Sequence, residues 1–472
     1  MSTTTSQDTL QPWELRARFA LRLAALYGRE VPAYTALVDV SREVNEDFVR
    51  SHGQDAERLG SVARVTAERH GAIRVGSAKE LSQVGRVFAA FGMHPVGFYD
   101  LRDASASSVP VVSTAFRPTD AEELAANPFR VFTSMLTTDD RRFFDRDLQE
   151  RLDDVIGSRT LFGDELLYLA DKAAAERQLS RPDADRLLDL AAASFELSDA
   201  PVDHDWYFAL ERISAVAADI GGVTSTHINH LTPRVLDIDD LYRRMTERGI
   251  AMIDEIQGPP DWDGPDVLLR QTSFKALAEE RNFRHSDGRI EAGSLRVRFG
   301  EVEQRGIALT VRGRDLYDDL VAEVDRLLGE STGATRVEVA TDVWKDRLPG
   351  TEQALALTGL GFFTYRVADG SRADGSAPAP LRDLVAAGVL EPEPIVYEDF
   401  LPRSAAGIFQ SNLTESGFRD DDQGGTVYDI ERLGTAMGRA IHEPNALYAA
   451  QQTASIDDAE RTLGRTITDR PS

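Results

Sequence analysis

Apolar residues recur at three- and four-residue spacing over 13–27 and again over 34–49. This predicts two helices separated by the break at Val31-Pro32. The pattern then changes. Residues 70–75 are short and extended, and 78–91 return to helical spacing. Residues 95–101, 109–116 and 129–136 read as strands. From 139 to 220 the chain is helical, rich in Leu, Ala, Asp and Glu, with a break at Arg181-Pro182. A third block opens at Gly221-Gly222. It predicts a helix over 239–248, strands near 267–272, 295–298 and 307–311, and a helix over 316–328. Residues 394–401 are strand-like. Segments 370–379 and 420–425 read as exposed loops, and 453–472 as a polar end with an amphipathic stretch at 456–463. Strand-rich blocks parted by helical insertions predict an α+β fold, with one sheet assembled from 70–136 and 226–311. No period of 20 to 50 residues repeats, which argues against solenoids and propellers.

Composition narrows the function classes. The chain has 472 residues and is 42% hydrophobic, ample for a large core. No run of about 18 apolar residues occurs, so no transmembrane helix is expected. The polar segment 1–11 lacks an apolar signal core and is expected to be a frayed tail of a cytoplasmic protein. Cysteine is absent, which removes disulfides, thiolate metal sites and cysteine nucleophiles together. A net charge of -26 repels phosphate backbones, so neither nucleic acid nor an anionic membrane is an expected partner. The glycine pairs at 221–222 and 424–425 form neither a phosphate loop nor a dinucleotide fingerprint.

Three clusters could carry chemistry. His70 opens a short strand, with Arg74 four residues on and facing the same way, a cationic fork suited to a carboxylate. In Thr226-His-Ile-Asn-His-Leu-Thr-Pro-Arg234, Leu231-Thr-Pro233 argues against a continuing helix, so one histidine binds and the other packs or supports. Spacing does not choose between His227 and His230. In Phe299-Gly-Glu-Val-Glu-Gln-Arg-Gly306, Glu301 and Glu303 share a strand face, and a solvated pair is the plain alternative. His52, His94, His204, His285 and His442 read as surface, capping or structural residues. Two imidazoles and one carboxylate from separated strands make a facial triad, which leaves positions for a chelating substrate and dioxygen. The same donors also suit Zn, Ni or Mn.

These residues carry a resemblance. The runs His70-Gly-Ala-Ile-Arg-Val-Gly76, Ser113-Thr-Ala-Phe-Arg117, Pro128-Phe-Arg-Val-Phe-Thr-Ser134, Arg270-Gln-Thr-Ser-Phe-Lys-Ala-Leu277 and Tyr397-Glu-Asp-Phe-Leu-Pro402, with 226–234, 299–306 and 404–413, resemble the 2-oxoadipate dioxygenase/decarboxylase family in order from about 12 to 413. The resemblance implies a vicinal oxygen chelate-like mixed β-sheet core, similar to hydroxymandelate synthase, with large helical insertions and flanking helices. It implies one integrated catalytic region over 12–413 and a C-terminal loop and helix over 414–472. It also implies Fe(2+) held by His70, His230 and Glu301, and Arg74 on the substrate carboxylate. The implied reaction turns 2-oxoadipate and dioxygen into 2-hydroxyglutarate and carbon dioxide, as in lysine breakdown. Ser404 follows the family's substrate-facing position, which usually holds valine. Here it is Arg403, expected to shrink the pocket or meet a second carboxylate. A Lewis-acid lyase or isomerase and a non-catalytic oxo-acid binder are the alternatives.

Overall fold

In strand β1 (Arg69–Val75) every residue after Arg69 is buried, because the sheet around it is covered on both faces. The structure is a computed structural model that describes residues 9–53, 58, 64–65, 69–103, 109–296, 298–330, 333–368, 377–412, 419–420 and 422–471. With β2 (His94–Asp100), β3 (Val111–Arg117), β4 (Arg130–Leu136) and β5 (Ile228–Pro233), β1 forms a five-stranded sheet of order β2-β3-β4-β1-β5. β1 is parallel to β4, and the other neighbours are antiparallel. The predicted α+β class and mixed sheet are what the structure shows.

Three helices cover one face: α1 (Pro12–Glu30), α2 (Pro32–His52) and α3 (Ala78–Ala90). α3 starts where the Ser77 side chain accepts the Glu80 amide, an N-cap at its expected place. Phe19 of α1 stacks on Phe91 at 4.5 Å, and Ile73, Val75, Phe116 and Val131 come up from the sheet to meet this group. Such aromatic pairs contribute about 0.5–1.5 kcal/mol beyond area burial. Ala72, Ala115 and Phe132 point to the other face, alternating with them as strand geometry requires. There they meet α4 (Arg146–Ser158), α7 (His204–Glu211) and α8 (Ala215–Gly221) of the helical insertion, whereas its α5 (Asp164–Glu176) and α6 (Arg181–Ala193) join the first group, packed against α3 and α1. Pro182 falls in the first turn of α6, so the predicted break is a helix start.

After helix α9 (Ile238–Glu247), strand β6 (Leu269–Phe274), the hairpin β7 (Glu279–Arg284) and β8 (Ile290–Leu295), and strand β9 (Gly300–Arg305) complete the strand-rich part. β9 pairs antiparallel with β6 and touches the end of β5 through an Arg234–Glu303 bridge. A separate apolar core gathers around α10 (Val311–Glu330), with Tyr317, Trp344 and Phe363.

Some expectations are corrected. Ser404-Ala-Ala-Gly407, whose small residues read from the sequence as a tight turn or a substrate-facing loop, lies within helix α11 (Pro402–Asn412). The strand expected at 295–298 ends at Leu295, and 307–309 makes isolated bridges before α10 begins at Val311. The amphipathic stretch at 456–463 is the end of the longer helix α12 (Pro444–Leu463). Of the predicted tail, Thr9–Leu10 pair with Leu179–Ser180 and Leu10 is buried; 1–8 lie outside the described residues, as does most of 370–379. No helix among the described residues is long and apolar enough to cross a membrane.

Candidate metal centre

Ala72 of β1 stands opposite His230 of β5, and His70 opposite Thr232. Paired residues share a face, so His70, His230 and Arg74 emerge on one side of the sheet. The register then slips: Ile73 faces Ile228, which leaves Asn229 as the extra residue of a β-bulge. The bulge reverses the alternation. Ile228 turns into the core beside Ile73, and His230 turns toward His70. Glu301 arrives from β9, where Gly300 allows close contact: a Cβ there would stand 1.9 Å from the Phe274 ring.

His70, His230 and Glu301 are all buried, and one donor atom of each lies within 4.8 Å of the others. His70 Nε2 is 3.1 Å from Glu301 Oε1, and His230 Nε2 is 3.8 Å from Glu301 Oε2. Among the described residues this is the one such group of histidines and carboxylates. His70 Nδ1, on the ring's other side, lies 3.0 Å from Glu303 Oε2. A carboxylate behind a ligating imidazole fixes its tautomer and orientation. Arg305 holds Glu303 through two bonds of 2.7 and 2.8 Å. Gln271 donates to Glu301 Oε1 at 2.6 Å, fixing the carboxylate's angle.

These donors fit a cation. Burial opposes a charge on His70, yet Glu303 and Glu301 outweigh it and raise its pKa above the ordinary imidazole value. Burial pushes His230 down to about 4, so its ring is neutral, the form that ligates. Its Nδ1 is buried with no hydrogen-bond partner. Burial raises the Glu303 carboxyl, but Arg305 and His70 prevail and hold it well below the usual carboxylate range.

The remaining histidine goes elsewhere. His227 Nε2 lies 3.4 Å from Asp219 Oδ1 and 3.1 Å from the Asn229 amide nitrogen. Asn229 also donates to Asp219 at 2.9 Å, and Arg74 forms a buried ion pair with that carboxylate. His227 therefore belongs to the network around Arg74.

A strap closes the site. Phe400 stands edge-on to the His70 ring at 4.9 Å and packs against Phe132. Residues 397–400 are fastened by Arg117 on Asp399, Arg130 on Glu398, and Arg305 on the carbonyls of Tyr397 and Asp399. Tyr448 of α12 donates to Asp399 and accepts the Glu398 amide, so the C-terminal helix also holds the strap. Replacing Arg305 with methionine leaves Glu303 buried without the strongest of the cations that balance it. The expected loss is about 3–5 kcal/mol, read as a lower denaturant midpoint.

A family model described as 2-oxoadipate dioxygenase/decarboxylase matches residues 19–412. The chain belongs to the 2-oxoadipate dioxygenase/decarboxylase family. A family member of that name from Mycobacterium tuberculosis is 55% identical over 444 residues, 93% of this chain and 97% of that one. One from Pseudomonas putida is 38% identical over 470 residues, 97% of this chain and 98% of that one. The crystal structure of hydroxyglutarate synthase from Pseudomonas putida in complex with 2-oxoadipate aligns with a TM-score of 0.83. It is 35% identical and covers 97% of this chain and 100% of that one.

Against this family background, two expected residues, Arg403 and Ser404, both line one cavity, which none of the three metal donors lines. Ser404 is buried in the first turn of α11, one turn before Ile408, which packs in the apolar group containing Phe400, Phe132 and Ala72. Arg403 does not join the cluster. Its side chain is 65% exposed and pairs with Asp325 of α10 at 2.7 Å, because the helix turns consecutive side chains about 100° apart. Asp219 and Gln271 were not anticipated. A lone carboxylate in the apolar run Ala215-Val-Ala-Ala-Asp-Ile220 was the available signal for the first. Gln271 lies in a run that carries the resemblance, with nothing in it to show which side chain faces the site.

Proposed function

We propose that the protein is an iron(II)-dependent dioxygenase and decarboxylase that converts 2-oxoadipate and dioxygen into 2-hydroxyglutarate and carbon dioxide. The observation that carries this is the buried group of His70, His230 and Glu301, in a chain of this family with Arg74 on the same face. Those three residues would hold the ion, and bound there it supplies the oxidative chemistry.

The protein's own groups bind, orient and exclude. Glu303 and Gln271 hold His70 and Glu301 in fixed poses, so the donor atoms are placed before substrate arrives. Arg74 grips the distal carboxylate of the 2-oxo acid, which decides which carbon faces the reacting centre. Ser404 offers a hydroxyl from the buried side of α11. Phe400 and Phe132 keep bulk water from the centre, which strengthens each charge interaction within it.

The test is an oxygen electrode. Protein loaded with iron(II) without air is given 2-oxoadipate, with both products quantified. One oxygen consumed per carbon dioxide and per 2-hydroxyglutarate supports the reading. Substrate binding without oxygen uptake, across 2-oxo acids of several lengths, overturns it. Arg403→Val is expected to change kcat/KM by less than about twofold, since an exposed pair contributes little. A tenfold change in steady-state assays would return Arg403 to the substrate's surroundings.

A further inference from the structure

Behind the Arg74–Asp219 pair, away from the metal donors, lies a cavity of about 240 Å3. At about 30 Å3 per water, that is room for roughly eight waters or one small organic acid. Arg151 of α4 lines it from one side, and Arg281 and Arg284 of β7 from another. None of the three forms an ion pair among the described residues. Arg151 rests over the Trp206 ring at 4.1 Å. Arg281 gives one nitrogen to the Glu280 carbonyl, and its Nη2 is buried with no partner. Burial lowers the pKa of Arg281 despite the nearby Glu279, as expected for a guanidinium short of an anion.

This is unusual in a chain with 79 acidic residues against 53 basic ones. The arginines of the strap and of Glu303 all have carboxylate partners. The two carboxylates on the cavity wall are already engaged. Asp219 serves Arg74, and Asp203 caps α7 by accepting the Trp206 amide at 2.8 Å. A buried guanidinium donor without an acceptor is costly, and a carboxylate matches its fork with two parallel bonds. Cations on two walls suit a ligand charged at both ends.

We propose that this cavity is a binding site for a small dicarboxylate anion, held between Arg151 and the Arg281–Arg284 pair, and divided from the metal donors by the Asp219–His227 wall. Two occupants share that chemistry: the dicarboxylic substrate on its way in, or a different dicarboxylate that tunes activity. The inference stands on the cavity and does not depend on the reaction assigned above.

The probe is adipate, which has both carboxylates but no keto group. It is titrated calorimetrically into the full-length protein. Binding is expected, weakened at least tenfold by Arg281→Met and by the exposed-side variant Arg284→Gln, each with an unaltered unfolding midpoint. Arg74→Lys, which keeps the charge beside Asp219 but loses the fork, is expected to leave adipate binding in place. Two further outcomes name the occupant and both support the site. A fall in kcat/KM for 2-oxoadipate with kcat unchanged in Arg281→Met marks an entry station. Unchanged kinetics, with loss of an adipate effect on turnover, marks a regulatory ligand. No adipate binding, binding of inorganic phosphate alone, or binding lost in Arg74→Lys and kept in Arg281→Met overturns the proposal.

Discussion

Alanine at position 230 is expected to leave the protein unable to retain iron, whereas alanine at position 227 leaves it loaded. The two histidines are three residues apart and equally buried, so burial and composition do not separate them. The bulge at Asn229 does, by turning His230 toward His70 and Glu301 while His227 meets Asp219. With two of three protein donors left, His230→Ala should show no stoichiometric metal after anaerobic loading and desalting. His227→Ala should keep its iron, since His227 meets Asp219 and Asn229 rather than a donor. Iron per chain by elemental analysis is the readout. Equal loss in the two variants would sink the assignment of His230.

Arg74→Met should lower kcat/KM for 2-oxoadipate by about 10²–10³-fold, the scale of removing one partner from a buried charge pair. The variant also strands Asp219, so a fall in activity alone would not distinguish lost binding from a disturbed fold. Selectivity does. A 2-oxo acid of the same length with a methyl in place of the distal carboxylate gains nothing from Arg74. Its kcat/KM should change by less than about tenfold in the variant. If both substrates fall together, Arg74 is a scaffold residue and another group reads the carboxylate.

Much of the sheet was legible because β1 to β4 are short apolar runs with clear boundaries, and the structure places them within two residues of the predicted spans. Helix α11 was misread because Ser404-Ala-Ala-Gly407 carries small residues that signal turns. Yet Ser404, Ile408 and Asn412, all buried, recur every four residues, which is helical spacing. The hairpin of β7 and β8 was missed for another reason. It is mostly exposed, so it lacks an apolar face, and its signal was the Asp287-Gly288 turn. The ligand set was only half legible. Residue type and spacing left His227 against His230 and Glu301 against Glu303. The choice rests on a bulge and on a contact between β5 and β9, neither of which has a local sequence signal.

The donors lie far apart along the chain, and this has a consequence for biosynthesis. At the usual 5–20 residues per second, Glu301 leaves the ribosome roughly 10–50 s after His70, about 230 residues later. Throughout that interval the nascent protein lacks the carboxylate that completes the cage, and for most of it the second imidazole as well. Metal capture by the full set of donors must therefore wait until more than 300 of the 472 residues have been made.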